Sequence, residues 1–87
     1  MLTTGKLVHK GKEVAPQGSA VNLKHEPDGP FTWGTIDAPQ KITVGAGSIC
    51  QLVLDDPGRS FEVVVRELGK KKGRGLLIVF DVNDLEL

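Results

Sequence analysis

Alternation of apolar and polar residues along the second half of the chain predicts β-strands. In the segment 76–82, one face of an extended chain carries Leu76, Ile78, Phe80 and Val82, since successive side chains point to opposite sides of a strand. The other face is also largely apolar, which is typical of a strand that is central in a sheet or closes a barrel. Upstream, the segments 49–54 and 60–66 flank Pro57-Gly58, a pair suited to a tight turn, and they predict a hairpin.

Turn residues divide the first half of the chain into short segments. The chain has 11 glycines and 5 prolines, and before Gly58 no interval between them accommodates an ordinary helix of about 11 residues. Lys10-Gly11 predicts a tight turn between strands at 6–9 and 12–14, because Gly readily adopts a positive φ. Further along, the chain predicts a second turn at 15–18, a loop at 25–30, and short strands at 20–24, 31–37 and 41–44.

The segment near 60–69 admits two interpretations. Its apolar residues also have the spacing of a helical stripe, at Phe61, Val64, Val65 and Leu68. Three consecutive valines at 63–65 favour a strand instead, because β-branched side chains are stiff and fit a pleated surface. We therefore predict an all-β fold over 1–87, a small single-domain antiparallel barrel or sandwich of about six to eight short strands. The alternative is an α+β fold with one helix near 60–69.

Composition limits the classes of protein that fit. With 87 residues, the chain is too short for an enzyme that needs a cleft between two domains. The 11 Lys and Arg residues balance the 11 Asp and Glu residues, so the overall charge of a nucleic-acid-coating protein is missing. One cysteine excludes an intramolecular disulfide and fits a reducing compartment. The first residues lack the apolar core of a signal peptide, and the expected location is therefore the cytoplasm.

Residues capable of catalysis or ligand binding are few. Cys50 with His9 or His25 has the residue types of a Cys–His nucleophile pair, but Cys50 lies within an apolar strand pattern and is interpreted as a small buried hydrophobe. The histidines and the cysteine do not have the spacing of a zinc site. Gly45-Ala46-Gly47 precedes a strand rather than a helix, which indicates a turn and not a phosphate cradle. Neither a cofactor nor a catalytic residue is predicted.

A basic segment and the single tryptophan are the candidate binding residues. Between 66 and 74, one acidic residue, Glu67, accompanies five basic ones: Arg66, Lys70, Lys71, Lys72 and Arg74. Such a segment can grip phosphate groups of a nucleic acid or nucleotide, or it can be a solvated loop that discourages edge pairing. For Trp33 the sequence favours a core position, and a place on a binding surface is the alternative.

The order of elements from Gly45 to Val82 resembles the second half of a PilZ-type barrel. A glycine-led turn, a strand, a hairpin and a closing apolar strand that contains Phe80 follow one another in that order. The residues that mark that family, paired arginines followed by Asp/Asn-x-Ser-x-x-Gly, are absent, and no arginine precedes Arg59. The resemblance is therefore one of small-barrel pattern, and no cyclic-dinucleotide site is carried over to this chain.

These observations favour a small non-enzymatic binding or assembly module that acts through a loop or a strand edge. The absence of a recognisable acid, base and nucleophile set lowers the expectation of catalysis. Exposed strand edges in so small a domain favour self-association, most simply as a two-fold dimer. The partner is a protein or a second copy, with no membrane involved. The alternative function is nucleic-acid or phosphorylated-ligand binding through a basic loop at 66–74.

Overall fold

The computed structural model describes residues 2–25, 31–39, 44–55, 59–70 and 75–83. These residues form six strands: β1 (Leu2–His9), β2 (Lys12–His25), β3 (Phe31–Ala38), β4 (Ile49–Leu54), β5 (Ser60–Lys70) and β6 (Leu76–Val82). All neighbouring strands are antiparallel, and their order is β1-β2-β3-β6-β5-β4. The pairing of β4 with β1 then closes the sheet into a barrel.

The predicted all-β fold is confirmed, and of the two predicted architectures, barrel or sandwich, the structure has the barrel. The segment near 60–69 is strand β5, which pairs with β4 on one side and β6 on the other, so the helical alternative for 60–69 is wrong. The valines of this segment alternate as in a strand: Val63 and Val65 point into the barrel, while Val64 points outward. None of the described residues forms a helix that could cross a membrane.

Inward-facing side chains from all six strands fill the barrel. The largest fully buried ones are Phe80, Leu7, Leu23, Ile36, Leu52, Ile78, Val21, Val63 and Val65. Interiors of small barrels are packed with side chains and hold no channel. Among the described residues, a ligand or partner can therefore contact the outer faces of the strands and the turns, but not the barrel interior.

Strand β2 differs from the prediction of a turn at 15–18. The strand continues through this segment: Ala15 pairs with Leu7 and Ser19 with Gly5, so that Pro16, Gln17 and Gly18 face Lys6 alone. Gly18 has φ 89°, and the Ser19 hydroxyl donates to the Pro16 carbonyl over 2.6 Å. The turn residues thus produce a bulge, which bends β2 without ending it.

The turn between β1 and β2 has the predicted geometry. Lys10 and Gly11 have φ values of 51° and 79°, as in the type I′ turns that suit the twist of a hairpin. Two predicted features lie outside the described residues, namely most of the strand at 41–44 and the loop around 26–30. Pro57-Gly58 also lies outside them, although the strands on either side pair as expected.

Replacing Lys10 by Asn should stabilise the barrel. A positive φ is unfavourable for Lys, whereas Asn tolerates it and is preferred before Gly in type I′ turns. We expect Lys10→Asn to raise the free energy of unfolding by about 0.5–1 kcal/mol, measured by urea denaturation. Lys12→Asn, just past the turn in β2, is the matched control and should not stabilise. Equal effects of the two changes would show that the turn is not strained.

Candidate binding surface

A single row of side chains crosses the outer surface of the barrel from β2 to β4. Lys24 pairs with Trp33, Trp33 with Asp81, Asp81 with Val64, and Val64 with Ile49. We call these five residues the outer row. Directly paired residues on one face of a sheet contact each other, so the outer row is continuous around the barrel. Because β3 and β4 are three places apart in the closed ring of six strands, Trp33 and Ile49 face opposite sides of the barrel.

The outer row includes two large hydrophobic side chains that are exposed to solvent. Trp33 is 37% exposed and Ile49 is 57% exposed. The core position favoured for Trp33 by the sequence is therefore wrong, and the alternative, a surface position, is what the structure has. Scattered single apolar residues are normal on protein surfaces, and Trp33 and Ile49 are separated along the row by Asp81 and Val64.

Arg66 covers the middle of the outer row. The register between β5 and β6 shifts at this residue, because Val65 pairs with Phe80 and Glu67 already pairs with Val79. Arg66 is thus the extra residue of a β-bulge, and a bulge changes the direction in which the side chain of its extra residue points. The Arg66 guanidinium lies 5.5 Å from the centroid of the Trp33 ring, within range of a cation–π interaction. It also pairs with both carboxylate oxygens of Asp81, with Nε at 3.2 Å from Oδ2.

This ion pair fixes the charges at the centre of the surface. The hydrogen bonds that Arg66 donates to the Asp81 carboxylate lower the pKa of Asp81 below its ordinary value and raise the pKa of Arg66. Asp81 therefore stays ionised throughout the neutral range and loses its charge only in acid, below its unperturbed pKa. Bidentate geometry holds the guanidinium in one orientation over Trp33. The result is a preorganised Trp–Arg–Asp cluster on an exposed surface.

The predicted basic loop at 66–74 is only partly described, and the prediction of a loop is wrong for 66–70, which continue strand β5 because they pair with β6. Arg66 is engaged by Asp81, so its charge is partly neutralised before any phosphate arrives. Lys70 ends β5 opposite Leu76, while Lys71, Lys72 and Arg74 lie outside the described residues. The structure thus brings together two of the predicted binding residues, Trp33 and Arg66. Phosphate recognition by 66–74 stays a prediction.

Two shallow depressions flank the Ile49 end of the outer row. One has a volume of about 570 Å³, with Val8, Gln51 and Glu62 among its lining residues. The other, about 610 Å³, lies beside the Gly47 turn. Lys10 and Ile49 line both of them, so the exposed Ile49 side chain separates two concave surfaces near the β1–β2 turn.

The structure places His9 beside Cys50, a pairing that the sequence interpretation did not favour. The Cys50 sulfur lies 3.8 Å from His9 Nδ1. Nδ1 also lies 2.9 Å from the Ile49 carbonyl oxygen. Because a carbonyl oxygen only accepts hydrogen bonds, Nδ1 carries the proton and cannot take one from the thiol. Cys50 is only 3% exposed, and burial raises the pKa of its thiol. The contact therefore does not produce an activated nucleophile.

The rate of thiol labelling measures whether Cys50 is buried and protonated. We expect native Cys50 to react with iodoacetamide at pH 8 at least about tenfold more slowly than the same chain in denaturant, because burial disfavours the thiolate and blocks access. The raised pKa moves thiolate formation to higher pH, so the native rate should still be rising above pH 9. Equal native and denatured rates at pH 8 would contradict a buried, protonated thiol. The chain has one cysteine, so labelling by mass spectrometry needs no site assignment.

No protein-family model, curated protein or solved structure matches this chain.

The glycine turn before β4 has little capacity to bind an anion. The amide of Gly47 donates to the Val65 carbonyl over 2.8 Å, and that of Ser48 donates to the Gly45 carbonyl over 3.1 Å. The Gly45 amide donates to the Ser48 hydroxyl over 3.2 Å. Anion-binding loops need several free amides, which agrees with the interpretation of this segment as a turn. Within the described ranges, no three His, Cys, Asp or Glu side chains come close enough to share a metal ion.

Proposed function

We propose that this chain is a small non-enzymatic binding module of the cytoplasm that recognises a protein partner through the Trp–Arg–Asp cluster of the outer row. One observation carries the proposal: the exposed Trp33 lies under the guanidinium of Arg66, which Asp81 holds in place. The strand-edge mode of binding receives less support, because each of the six strands has a neighbour on both sides in the closed barrel.

The residue types at the centre of the outer row support protein recognition. Trp and Arg are enriched among the few residues that supply most of the energy of protein interfaces. A side chain that is already held in place loses little entropy on binding. Arg66 is held by Asp81 and lies over Trp33, so this cluster is preorganised for contact. Val64, which pairs with Asp81, adds an apolar side chain beside the cluster.

Selection of binding peptides against the folded barrel tests this proposal. We expect peptides enriched from a displayed library to lose at least about tenfold in affinity for Trp33→Ala, since truncating an interface hot spot costs 1–2 kcal/mol or more. Binding is measured by titration with labelled peptide. The control is Val53→Ala, because Val53 is an outward residue of β4 outside the outer row, and its affinity should match that of the unmodified chain. Peptides that bind the Trp33→Ala chain unchanged would overturn the proposal.

The alternative, binding of a nucleic acid or a phosphorylated ligand through 66–74, has its own test. It predicts that an oligonucleotide binds at low salt, that binding weakens steeply as salt rises, and that it is lost when Lys70, Lys71 and Lys72 are changed to Ala. Absence of binding at low salt would remove this alternative. The engagement of Arg66 by Asp81 is the observation that makes us favour the protein partner.

A further inference from the structure

We propose that the depression of about 610 Å³ beside the turn before β4 is a second binding site, which takes a small organic phosphate ester. The phosphate group contacts His9, Lys10 and Ser48, and the organic group packs against Ile49. All four residues line this depression, whose volume is within the range of small-molecule sites. The site goes beyond the proposed function, because none of its lining residues belongs to the Trp–Arg–Asp cluster.

The backbone conformation of Lys10 is the first observation that supports a ligand. Lys10 has φ 51° and is the one residue other than glycine with a positive φ in the described part of the chain. This conformation is unfavourable for Lys, whereas Asn and Gly adopt it readily. Backbone strain of this kind concentrates at binding and active sites. The Lys10 ammonium forms no ion pair with any described residue, so its charge is left for a ligand.

His9 has one ring nitrogen available for a ligand. Its Nδ1 donates to the Ile49 carbonyl oxygen over 2.9 Å, so Nε2 is the nitrogen that remains. Neutral His9 can only accept a hydrogen bond at Nε2, and protonated His9 donates one. The titratable groups near His9 are Lys10 in the turn, Lys12 across the hairpin and the Cys50 thiol on β4. None of these is negatively charged at neutral pH, so a bound anion favours protonation of His9 and binds more tightly as the pH falls.

Ser48 adds a neutral donor to the same depression. Its hydroxyl oxygen accepts from the Gly45 amide over 3.2 Å, which leaves the hydroxyl hydrogen for another acceptor. The amides of Gly47 and Ser48 are used within the chain, so the donors offered to a ligand are side chains. No Asp or Glu is among the described residues that line this depression. Three donors around one concave surface suit a phosphate ester, which has three strong acceptor oxygens.

Ile49 supplies an apolar surface beside these donors. Its side chain is 57% exposed, and it separates this depression from the one that Val8 and Glu62 line. Ligand sites combine apolar surface with a few polar groups that fix the orientation of the ligand. Inorganic phosphate would leave Ile49 without a contact, so the site favours an ester with an apolar organic group.

Titration with phenyl phosphate, followed by amide chemical shifts, tests the site. We expect shifts at residues 9–11 and 46–49, and a dissociation constant at least about fivefold higher in Lys10→Asn, which loses a charge-assisted hydrogen bond. Asn suits the turn, so weaker binding by this variant cannot come from unfolding. Lys6→Asn is the matched control, because it removes the same charge from β1 at a residue that lines neither depression. Its dissociation constant should match that of the unmodified chain.

The contact with His9 is tested with benzenesulfonate, whose charge does not change with pH, so that any pH dependence belongs to the protein. Affinity should rise at least about threefold from about pH 8 to about pH 5, the range in which histidine gains its proton. His9→Asn keeps a donor at the position of Nδ1 and removes Nε2, so it should abolish this rise. A rise that persists in His9→Asn would overturn the contact with His9.

The apolar contact is tested with Ile49→Thr, which should weaken binding of phenyl phosphate and leave binding of methyl phosphate unchanged. Benzoate has two oxygens in place of three and should bind more weakly than phenyl phosphate; equal affinity would overturn the three-donor arrangement. The site itself is overturned if millimolar phenyl phosphate causes no shifts at 9–11 and 46–49, or if Lys10→Asn binds as tightly as the unmodified chain. These results leave the proposed function standing, since its test depends on Trp33 and on peptides.

Discussion

Phe80→Ala is expected to lower the free energy of unfolding by about 3–5 kcal/mol, as for other large aromatic residues removed from a core. Phe80 is fully buried and lies on β6, directly opposite Gly34 of β3. Its ring fills the space that a side chain at position 34 would occupy, because a Cβ there would meet Phe80 Cζ at 3.0 Å. Removal of the ring therefore leaves a cavity beside a residue that has no side chain to fill it.

Urea denaturation followed by circular dichroism measures this loss. Val79→Ala is the matched control, since Val79 neighbours Phe80 on the same strand but points outward and is only partly buried. We expect the control to cost less than about 1.5 kcal/mol. Small domains have total stabilities of about 5–15 kcal/mol, and Phe80→Ala can therefore leave the chain partly unfolded. Phe80→Leu, which retains most of the volume, should give an intermediate loss. Equal losses for Phe80→Ala and Val79→Ala would contradict this packing.

The contact between Phe80 and Gly34 explains why the position of Trp33 could not be predicted from the sequence. Alternation correctly places Trp33 on one face of β3 and Gly34 on the other. Alternation does not show which of the two faces is buried, and the large side chain of Trp33 favoured burial of its own face. The barrel interior is instead on the side of Gly34, because Phe80 supplies the missing volume from β6. Which face is buried thus depends on a residue 46 positions away in the sequence, which a local pattern cannot contain.

Strand identity was predictable where alternation and turn residues agree. The segments 49–54, 60–66 and 76–82 and the Lys10-Gly11 turn satisfy both signals, and all have the predicted form. At 15–18 the two signals conflict, because Pro and Gly indicate a turn while the residues on both sides continue to pair with β1. Tertiary pairing overrides turn chemistry there, and the result is a bulge within a strand.

The candidate surface depends on register, and the sequence does not determine register between distant strands. Arg66 and Trp33 were both identified as candidates, but their contact requires the β3–β6 and β5–β6 pairings and a bulge at Arg66. His9 and Cys50 likewise come together only because β1 and β4 close the barrel. Residue type can therefore propose the members of a site, whereas barrel closure decides which of them meet.

Gly5→Ala is expected to lower the free energy of unfolding by about 3 kcal/mol, which is the upper end of the range usual for an overpacked core. A Cβ at Gly5 would lie 2.6 Å from the Val53 carbonyl oxygen and 3.2 Å from the Leu54 Cα. Both are backbone atoms of β4, so rotation of a side chain cannot relieve the overlap. Gly5 pairs with Leu54 at the junction that closes the barrel, and the two strands must separate there to admit a methyl group.

Gly69→Ala distinguishes this close approach from the general effect of placing Ala in a strand. At Gly69, on β5, the nearest atom to a new Cβ would be the Leu77 carbonyl oxygen at 3.6 Å, an ordinary contact. We expect this control to be neutral or slightly stabilising, because Ala loses less backbone entropy than Gly on folding. Hydrogen exchange adds a local measurement: Gly5→Ala should reduce amide protection along the β1–β4 pairing more than along β5–β6. Equal stability of the two Ala variants would mean that the barrel does not depend on close contact between β1 and β4. In that case β1 and β4 would have to lie further apart than the 3.8 Å distance between His9 Nδ1 and the Cys50 sulfur implies.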